Sequence, residues 1–249
     1  MIVAKGLSKA YGDQVVLDGV DLSIADGELA YLVGQSGEGK TVLGRCLFGL
    51  EHADAGSVRI DGFEMVGAGP RALHRVRMSY VYVFQHPTLF DSFTVEENIA
   101  LPLRYHRTGT DAAVTAQVQR WLDLVGVRPY ARAYPSELPF GAQKKVSIAR
   151  ALSLQPRGLI LDEPTTGLDR GTADALTDLV LSLHAELKLT TVLISHDRPN
   201  ILRTASRVVA ISRGHLVDAR LRRSGSGAVA IEGDPDRILA RFLALDGQG

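Results

Sequence analysis

The stretch that most constrains this chain is Gly34-Gln35-Ser36-Gly37-Glu38-Gly39-Lys40-Thr41, a GxxxxGK[ST] pattern. An apolar run, Leu29-Ala30-Tyr31-Leu32-Val33, leads into it, and a helical segment from Val42 to Leu50 follows. A buried strand, a glycine-rich turn and a helix start make such a pattern a phosphate cradle. The glycines let successive backbone N–H groups turn toward one anion. The helix N-terminus adds partial positive charge. In such a cradle Lys40 reaches the β- and γ-phosphates of a nucleotide and the Thr41 hydroxyl holds Mg²⁺. The expected nucleotide contacts are Gly34, Gln35, Ser36, Gly37, Glu38, Gly39, Lys40, Thr41 and Val42. Glu38 is unusual there, because a carboxylate among phosphates is unfavourable unless it points outward.

Bulk properties narrow the class. Lys+Arg and Asp+Glu both count 28 in 249 residues, so no global basic field favours nucleic acid as a partner. The single cysteine, Cys46, forms no intramolecular disulfide and reads as a small buried apolar residue. Met1 to Ala10 lacks the basic start and apolar core of a signal peptide. No apolar run approaches the roughly 18–20 residues a bilayer span needs. The expectation is a chain that is soluble by itself and reaches a membrane only through a partner.

Taken in order, residues 2–33 read as short strands, Ile2–Ala4, Val15–Leu17 and Val20–Ile24, punctuated by turns at Tyr11-Gly12-Asp13 and Asp26-Gly27. Val58–Gly62 is an alternating strand with its turn, Arg71–Arg77 a basic helix, and Met78–Phe84 a β-rich run ending at Gln85. From about Thr94 to Leu154 the pattern turns helical. Thr94 and Glu97 have capping-box spacing. Val114, Val118, Trp121, Leu122 and Val125 share one helix face, and a further helix runs from about Gln143 to Leu154. Buried strands then return at Gly158–Leu161, Thr191–Ile194 and Arg207–Ile211, with a helix at about Thr172–Leu187 between the first two. Continuous apolar strands alternating with helices imply a parallel sheet covered on both faces, with a helical block inserted. Arg222–Gly227 reads as a link, and Asp234-Pro235 as the opening of a last amphipathic helix bearing Ile238, Leu239, Phe242 and Leu245.

Three strand ends carry the chemistry. Asp162-Glu163 closes a buried strand at the edge where α/β sheets place ligands. Asp162 suits Mg²⁺ anchoring, and Glu163 is placed to polarise an attacking water. His196 ends another strand on that edge, where a γ-phosphate contact is expected. Gln85 ends a third, positioned for Mg²⁺ or the water.

In this order the pieces resemble the ATP-binding cassette (ABC) ATPases over residues 1 to about 220. Gly34–Thr41 matches Walker A, Gln85 the Q-loop, Leu159–Glu163 Walker B with its glutamate, Thr166-Gly167-Leu168-Asp169 the D-loop, His196 the switch histidine, and Tyr11 the adenine-stacking loop. The resemblance implies an α/β P-loop NTPase fold. Its parts are a RecA-like parallel-sheet core with an N-terminal antiparallel β-subdomain (1–87 and 156–222), an inserted α-helical subdomain (88–155), and a linker with a C-terminal helix (223–249). It also implies ATP and Mg²⁺ as cofactors, and a head-to-tail dimer in which each ATP touches Walker A of one chain and the signature loop of the other. Integral-membrane permease subunits would be partners, with the chain peripheral on the cytoplasmic side of the inner membrane.

The signature departs from the family pattern. Leu-Ser-Gly-Gly-Gln is expected; Leu138-Pro139-Phe140-Gly141-Ala142 stands in its place, followed by a matching Val146–Leu152. Pro139 lacks both the serine hydroxyl and a backbone N–H, Phe140 adds bulk, and Gly141 alone keeps a backbone donor. One lost charge-assisted hydrogen bond weakens a closed dimer by about 1.5–3 kcal/mol. A homodimer would then have two impaired sites, whereas a heterodimer with an intact partner signature would have one sound site, which is the arrangement the sequence favours. The Leu89–Arg104 region and the Asp234–Leu243 tail are similar to Mla/Mce-type lipid-transport ATPases, which implies a lipid or other hydrophobic cargo; lipoprotein-release and macrolide-efflux ATPases and amino-acid importers share parts of the pattern. Two alternatives stay open: a mechanotransmission or lipoprotein-release ATPase, and a regulatory nucleotide-binding subunit with weak hydrolysis.

Overall fold

The computed structural model describes residues 1–223, 229–233 and 238–243. The chain opens with β1 (Ile2–Tyr11), β2 (Gln14–Ile24), β3 (Leu29–Val33) and α1 (Lys40–Leu47). β4 (Ala55–Ile60), β5 (Phe63–Glu64), α2 (Pro70–Ser79) and β6 (Tyr80–Val83) follow. Three helices come next, α3 (Val95–Tyr105), α4 (Asp111–Leu124) and α5 (Phe140–Leu152). The chain then returns to β7 (Gly158–Asp162), α6 (Arg170–Leu187), β8 (Thr190–Ser195), α7 (Arg198–Thr204), β9 (Arg207–Ser212), β10 (His215–Arg223), β11 (Val229–Glu232) and α8 (Ile238–Leu243).

Two sheets form. β2-β1-β4-β5 is antiparallel, and a seven-stranded sheet runs β11-β10-β9-β3-β8-β7-β6. From β9 to β6 the second sheet is parallel, while β10 and β11 extend its edge antiparallel. The side-chain period of two sorts each central strand into two cores. Tyr31, Val33, Leu159, Leu161 and Leu193 pack with the helices α3–α5 and α6. Ala30, Leu32, Ile160, Val192 and Ile194 pack with α1 and the antiparallel sheet. Both faces are therefore covered, as the continuous apolar strands require.

Local signals explain most boundaries. Thr94 and Glu97 form the capping box, with the Thr94 N–H donating to Glu97 Oε2 at 2.8 Å and the Glu97 N–H to Thr94 Oγ1 at 3.3 Å. Trp121 is a core residue beside Val114, Val118 and Leu122. Cys46 is buried, and burial pushes its thiol up to about 11.

The structure corrects several sequence boundaries. Val15–Leu17 and Val20–Ile24 belong to one bulged strand, because β1 pairs along its whole length. Met78 and Ser79 close α2 instead of opening β6. The helix expected from Gln143 begins at Phe140, since Pro139 takes the N-cap position and its missing N–H costs nothing there. β10 and β11 escaped the sequence reading. Their registry is supplied by β9, and β10 alternates charged residues at Asp218, Arg220 and Arg222 with buried Ala219 and Leu221. Arg222 and Arg223, expected to open a link, instead close β10, paired with Ala230 and Val229 of β11; Ser224–Gly227, Asp234-Pro235 and Leu245 lie outside the described residues. Ile238, Leu239 and Phe242 belong to the apolar face of α8, packed on the core.

Candidate nucleotide site

The phosphate loop crosses from β3 into α1 at the carboxyl edge of the parallel sheet. Gly39 sits at φ 98°, and a Cβ there would lie 2.7 Å from Val16 Cγ1, so both conformation and space demand glycine. Lys40 is buried and its Nζ donates to Gly34 O at 3.1 Å and Gln35 O at 2.9 Å. Its ammonium also lies 3.7 Å from Glu163 Oε1. The next residue, Thr41, donates its hydroxyl to Asp162 Oδ1 at 3.0 Å.

The parallel pairing of β3, β8, β7 and β6 brings the other strand ends to the same edge. Glu163 follows β7 in a left-handed conformation, φ 48°. A non-glycine residue held there stores strain, a recurrent property of functional positions. Its N–H donates to Ile194 O at 2.9 Å. Glu163 Oε2 meets His196 Nδ1 at 2.7 Å and accepts from Thr166 Oγ1 at 3.4 Å. Ser36, Gly37, Gly39, Lys40, Thr41, Val42, Gln85, Glu163 and His196 line one cavity of about 310 Å³, with Val16 closing one wall.

Five of the expected nucleotide contacts stand apart from that cavity. Gly34, Gln35 and Glu38 line a second cavity behind the loop, against β9 and α8. Glu38 Oε2 there accepts from the Arg213 N–H at 2.8 Å, so its carboxylate faces away from the phosphate cradle. Tyr11 is exposed, with Lys9 Nζ 5.1 Å from its ring centre, and is not among the residues lining the cavity. Gly141 is buried near the start of α5, where a Cβ would come within 2.6 Å of Thr172 Cγ2. It also stays outside this chain's own cavity.

Two residues at the site escaped sequence reading. Tyr82 donates its hydroxyl to Asp162 Oδ2 at 2.8 Å, so both Asp162 oxygens accept from hydroxyls. Burial, with Asp162 next to it, pushes the Tyr82 phenol well above its usual range. Lys144 is buried and donates to Gln85 O at 3.0 Å and Glu163 O at 3.4 Å. Burial pushes its ammonium down to about 8, against the pull of Glu163. Neither the tyrosine, inside a β-rich run, nor the lysine, inside a Gln-Lys-Lys run, belongs to a motif that marks it; only contact distances reveal them.

A phosphate loop after β3, a carboxylate pair at the end of β7 two strands away on the same sheet edge, and a helical insert between β6 and β7 define a nucleotide-binding cassette. The family model described as ABC transporter matches residues 17–166, and the chain belongs to that family. It is 38% identical over 218 residues to a sulfate/thiosulfate import ATP-binding protein of Bradyrhizobium diazoefficiens, covering 86% of this chain and 62% of that protein. A methionine import ATP-binding protein of Mesorhizobium japonicum is 39% identical over 212 residues, covering 85% of this chain and 58% of that protein. The chain thus spans about three fifths of the length of both relatives. Among solved structures, a dimeric post-hydrolysis ATP-binding cassette bound to ADP and Pi aligns with TM-score 0.81 at 27% identity, over 90% of this chain and all of that one.

Proposed function

We propose that this chain is the ATP-binding and ATP-hydrolysing subunit of an ABC transporter, driving separate integral-membrane subunits from the cytoplasmic side of the membrane. The observation that carries this reading is the meeting of Lys40, Gln85, Glu163 and His196 around one cavity, with Thr41 bonded to Asp162 beside it. ATP phosphates take the N–H groups of the loop and the Lys40 ammonium. Thr41, Asp162 and Gln85 are hard oxygen donors, a set that suits Mg²⁺. Among the described residues no group of three or more His, Cys, Asp and Glu side chains is placed to hold a metal. The nucleotide phosphates and water would therefore complete the ion's shell. When bound, Mg²⁺ neutralises charge on the β- and γ-phosphates. Glu163 polarises the attacking water, and His196 fixes the Glu163 carboxylate through Nδ1, leaving Nε2 to meet the γ-phosphate.

Among the described residues no helix is long and apolar enough to cross a membrane. A groove of about 720 Å³ lined by Phe48, Leu50, Phe84, Phe90 and Tyr105 lies between the Q-loop and α3. Four of these residues, Leu50, Phe84, Phe90 and Tyr105, are exposed aromatics or leucine. We assign this groove to a helix of the membrane subunits. Turnover of the wild type and of Glu163→Gln, measured with those subunits present, tests the reading. A loss of about a hundredfold or more is expected; equal rates would leave the regulatory alternative.

A second ATPase chain completes the site, and the weakened signature at Leu138–Ala142 favours a partner that brings an intact one. Symmetric ATP-dependent dimers of this chain alone, with ordinary turnover, would rule that out. For cargo, the sulfate/thiosulfate and methionine importers among the relatives support import of a small solute, and neither relative's named substrate is a lipid. The lipid reading of Leu89–Arg104 finds no support there. With the groove beside α3 assigned to a helix of the membrane subunits, the side chains of this region would answer to that helix and not to the cargo.

A further inference from the structure

α5 carries two things on adjacent turns: Gly141, the remaining signature donor, and Lys144. The Lys144 side chain turns inward and its Nζ bridges two backbone carbonyls, Gln85 O at 3.0 Å and Glu163 O at 3.4 Å. Its ammonium also lies 5.1 Å from the Phe140 ring centre, within cation–π range. An ammonium is costly to bury, and carbonyl oxygens offset that cost only when they are held in place. The two carbonyls belong to different segments that meet at the nucleotide cavity, one after β6 and one after β7.

Glu163 is the residue most in need of such support. It holds φ 48°, and its peptide N–H is already fixed on Ile194 O. Lys144 fixes the carbonyl on its other side. Glu163 is therefore clamped from both ends, by β8 and by the signature helix. The contacts of Phe140 and Gly141 add to the same junction. Phe140 Cε1 would lie 3.1 Å from a Cβ at Gly167, and Thr172 packs against Gly141.

We infer that Lys144 is a positioning residue for hydrolysis: it ties the signature end of α5 to Glu163 and Gln85 of the same chain, so that engagement of this helix by a partner-bound nucleotide sets this chain's own catalytic loop. The inference rests on the hydrolytic reading above. Lys144 is not among the residues lining the nucleotide cavity, and acts through the two carbonyls it holds.

The test is steady-state ATP turnover of the full chain assembled with its membrane subunits, for Lys144→Met, Lys144→Arg and Glu163→Gln. Lys144→Met keeps length and apolar bulk but donates nothing. We expect its kcat to fall at least tenfold, with KM for ATP within threefold, because the Lys40 and Thr41 contacts are untouched. Lys144→Arg retains donors for both carbonyls and should recover kcat to within about threefold of wild type. Thermal unfolding checks that each variant folds; if Lys144→Met does not, the same kcat-against-KM split is read on Lys144→Gln. Turnover of the Met variant within twofold of wild type, or an Arg variant no better than Met, would overturn the inference. Wild-type turnover in Glu163→Gln would instead sink the hydrolytic reading itself.

Discussion

His196 Nδ1 and Glu163 Oε2 meet at 2.7 Å, while Lys40 Nζ stands 3.7 Å from the other oxygen of the same carboxylate. Lys40 and His196 thus both engage one acid. An arriving γ-phosphate competes with Glu163 for Lys40, and that ion pair is largely buried, so separating it opposes nucleotide binding. Glu163→Gln removes the competing charge. The expected outcome is ATP binding about three- to tenfold tighter than wild type, read by titration calorimetry on the non-hydrolysing variant. Unchanged or weaker binding would show that the pair imposes no such cost.

Tyr82 and Thr41 together occupy both oxygens of Asp162. Tyr82→Phe leaves a buried carboxylate with one partner fewer, and the loss is about 1–3 kcal/mol. Urea unfolding should report that drop. The Mg²⁺ concentration for half-maximal turnover should rise severalfold, because Asp162 is then freer to leave its place. A variant as stable as wild type would place the Tyr82 hydroxyl outside the support of this site.

Glu38 stands in the phosphate loop yet bonds to the Arg213 N–H. Glu38→Ala should therefore change ATP affinity less than threefold while costing about 0.5–1.5 kcal/mol of stability through the lost hydrogen bond. A tenfold gain in affinity would mean that the carboxylate faces the phosphates after all.

Cys46 is the single thiol, buried, with its pKa raised to about 11. A raised value favours the neutral thiol, and only about a thousandth of molecules carry the reactive thiolate at pH 8. Native chain should resist iodoacetamide at pH 8 for hours, as followed by mass spectrometry. In denaturing urea, where the thiol returns to its usual range, alkylation should be complete within minutes. Fast native labelling would contradict this burial.

Much of the candidate site was legible because its residues cluster at strand ends that announce themselves. Gly34–Thr41 is contiguous, and a run of glycines between an apolar strand and a helix specifies a phosphate cradle by local geometry alone. Asp162, Glu163, His196 and Gln85 each follow an apolar run on the same sheet edge, and Thr94 with Glu97 marked a helix start by hydrogen-bonding capacity. Tyr82, Lys144 and the direction of Glu38 were not legible. Their partners lie 80, 59 and 175 residues away in the chain.

What the sequence determined by itself is therefore the set of local devices: the cradle, the alternating strands and helices, the helix cap, and the altered signature Leu138–Ala142. What only the tertiary structure decided is which devices meet. The parallel order β3-β8-β7-β6 brings Thr41 to Asp162 and Glu163 to His196. The packing of α5 against that sheet turns Lys144 inward, and the turn between β9 and β10 draws Glu38 out of the cradle. The reason is physical: periodicity and turn chemistry act over a few residues, whereas strand order and packing act through burial of two apolar faces at once, which no short stretch encodes.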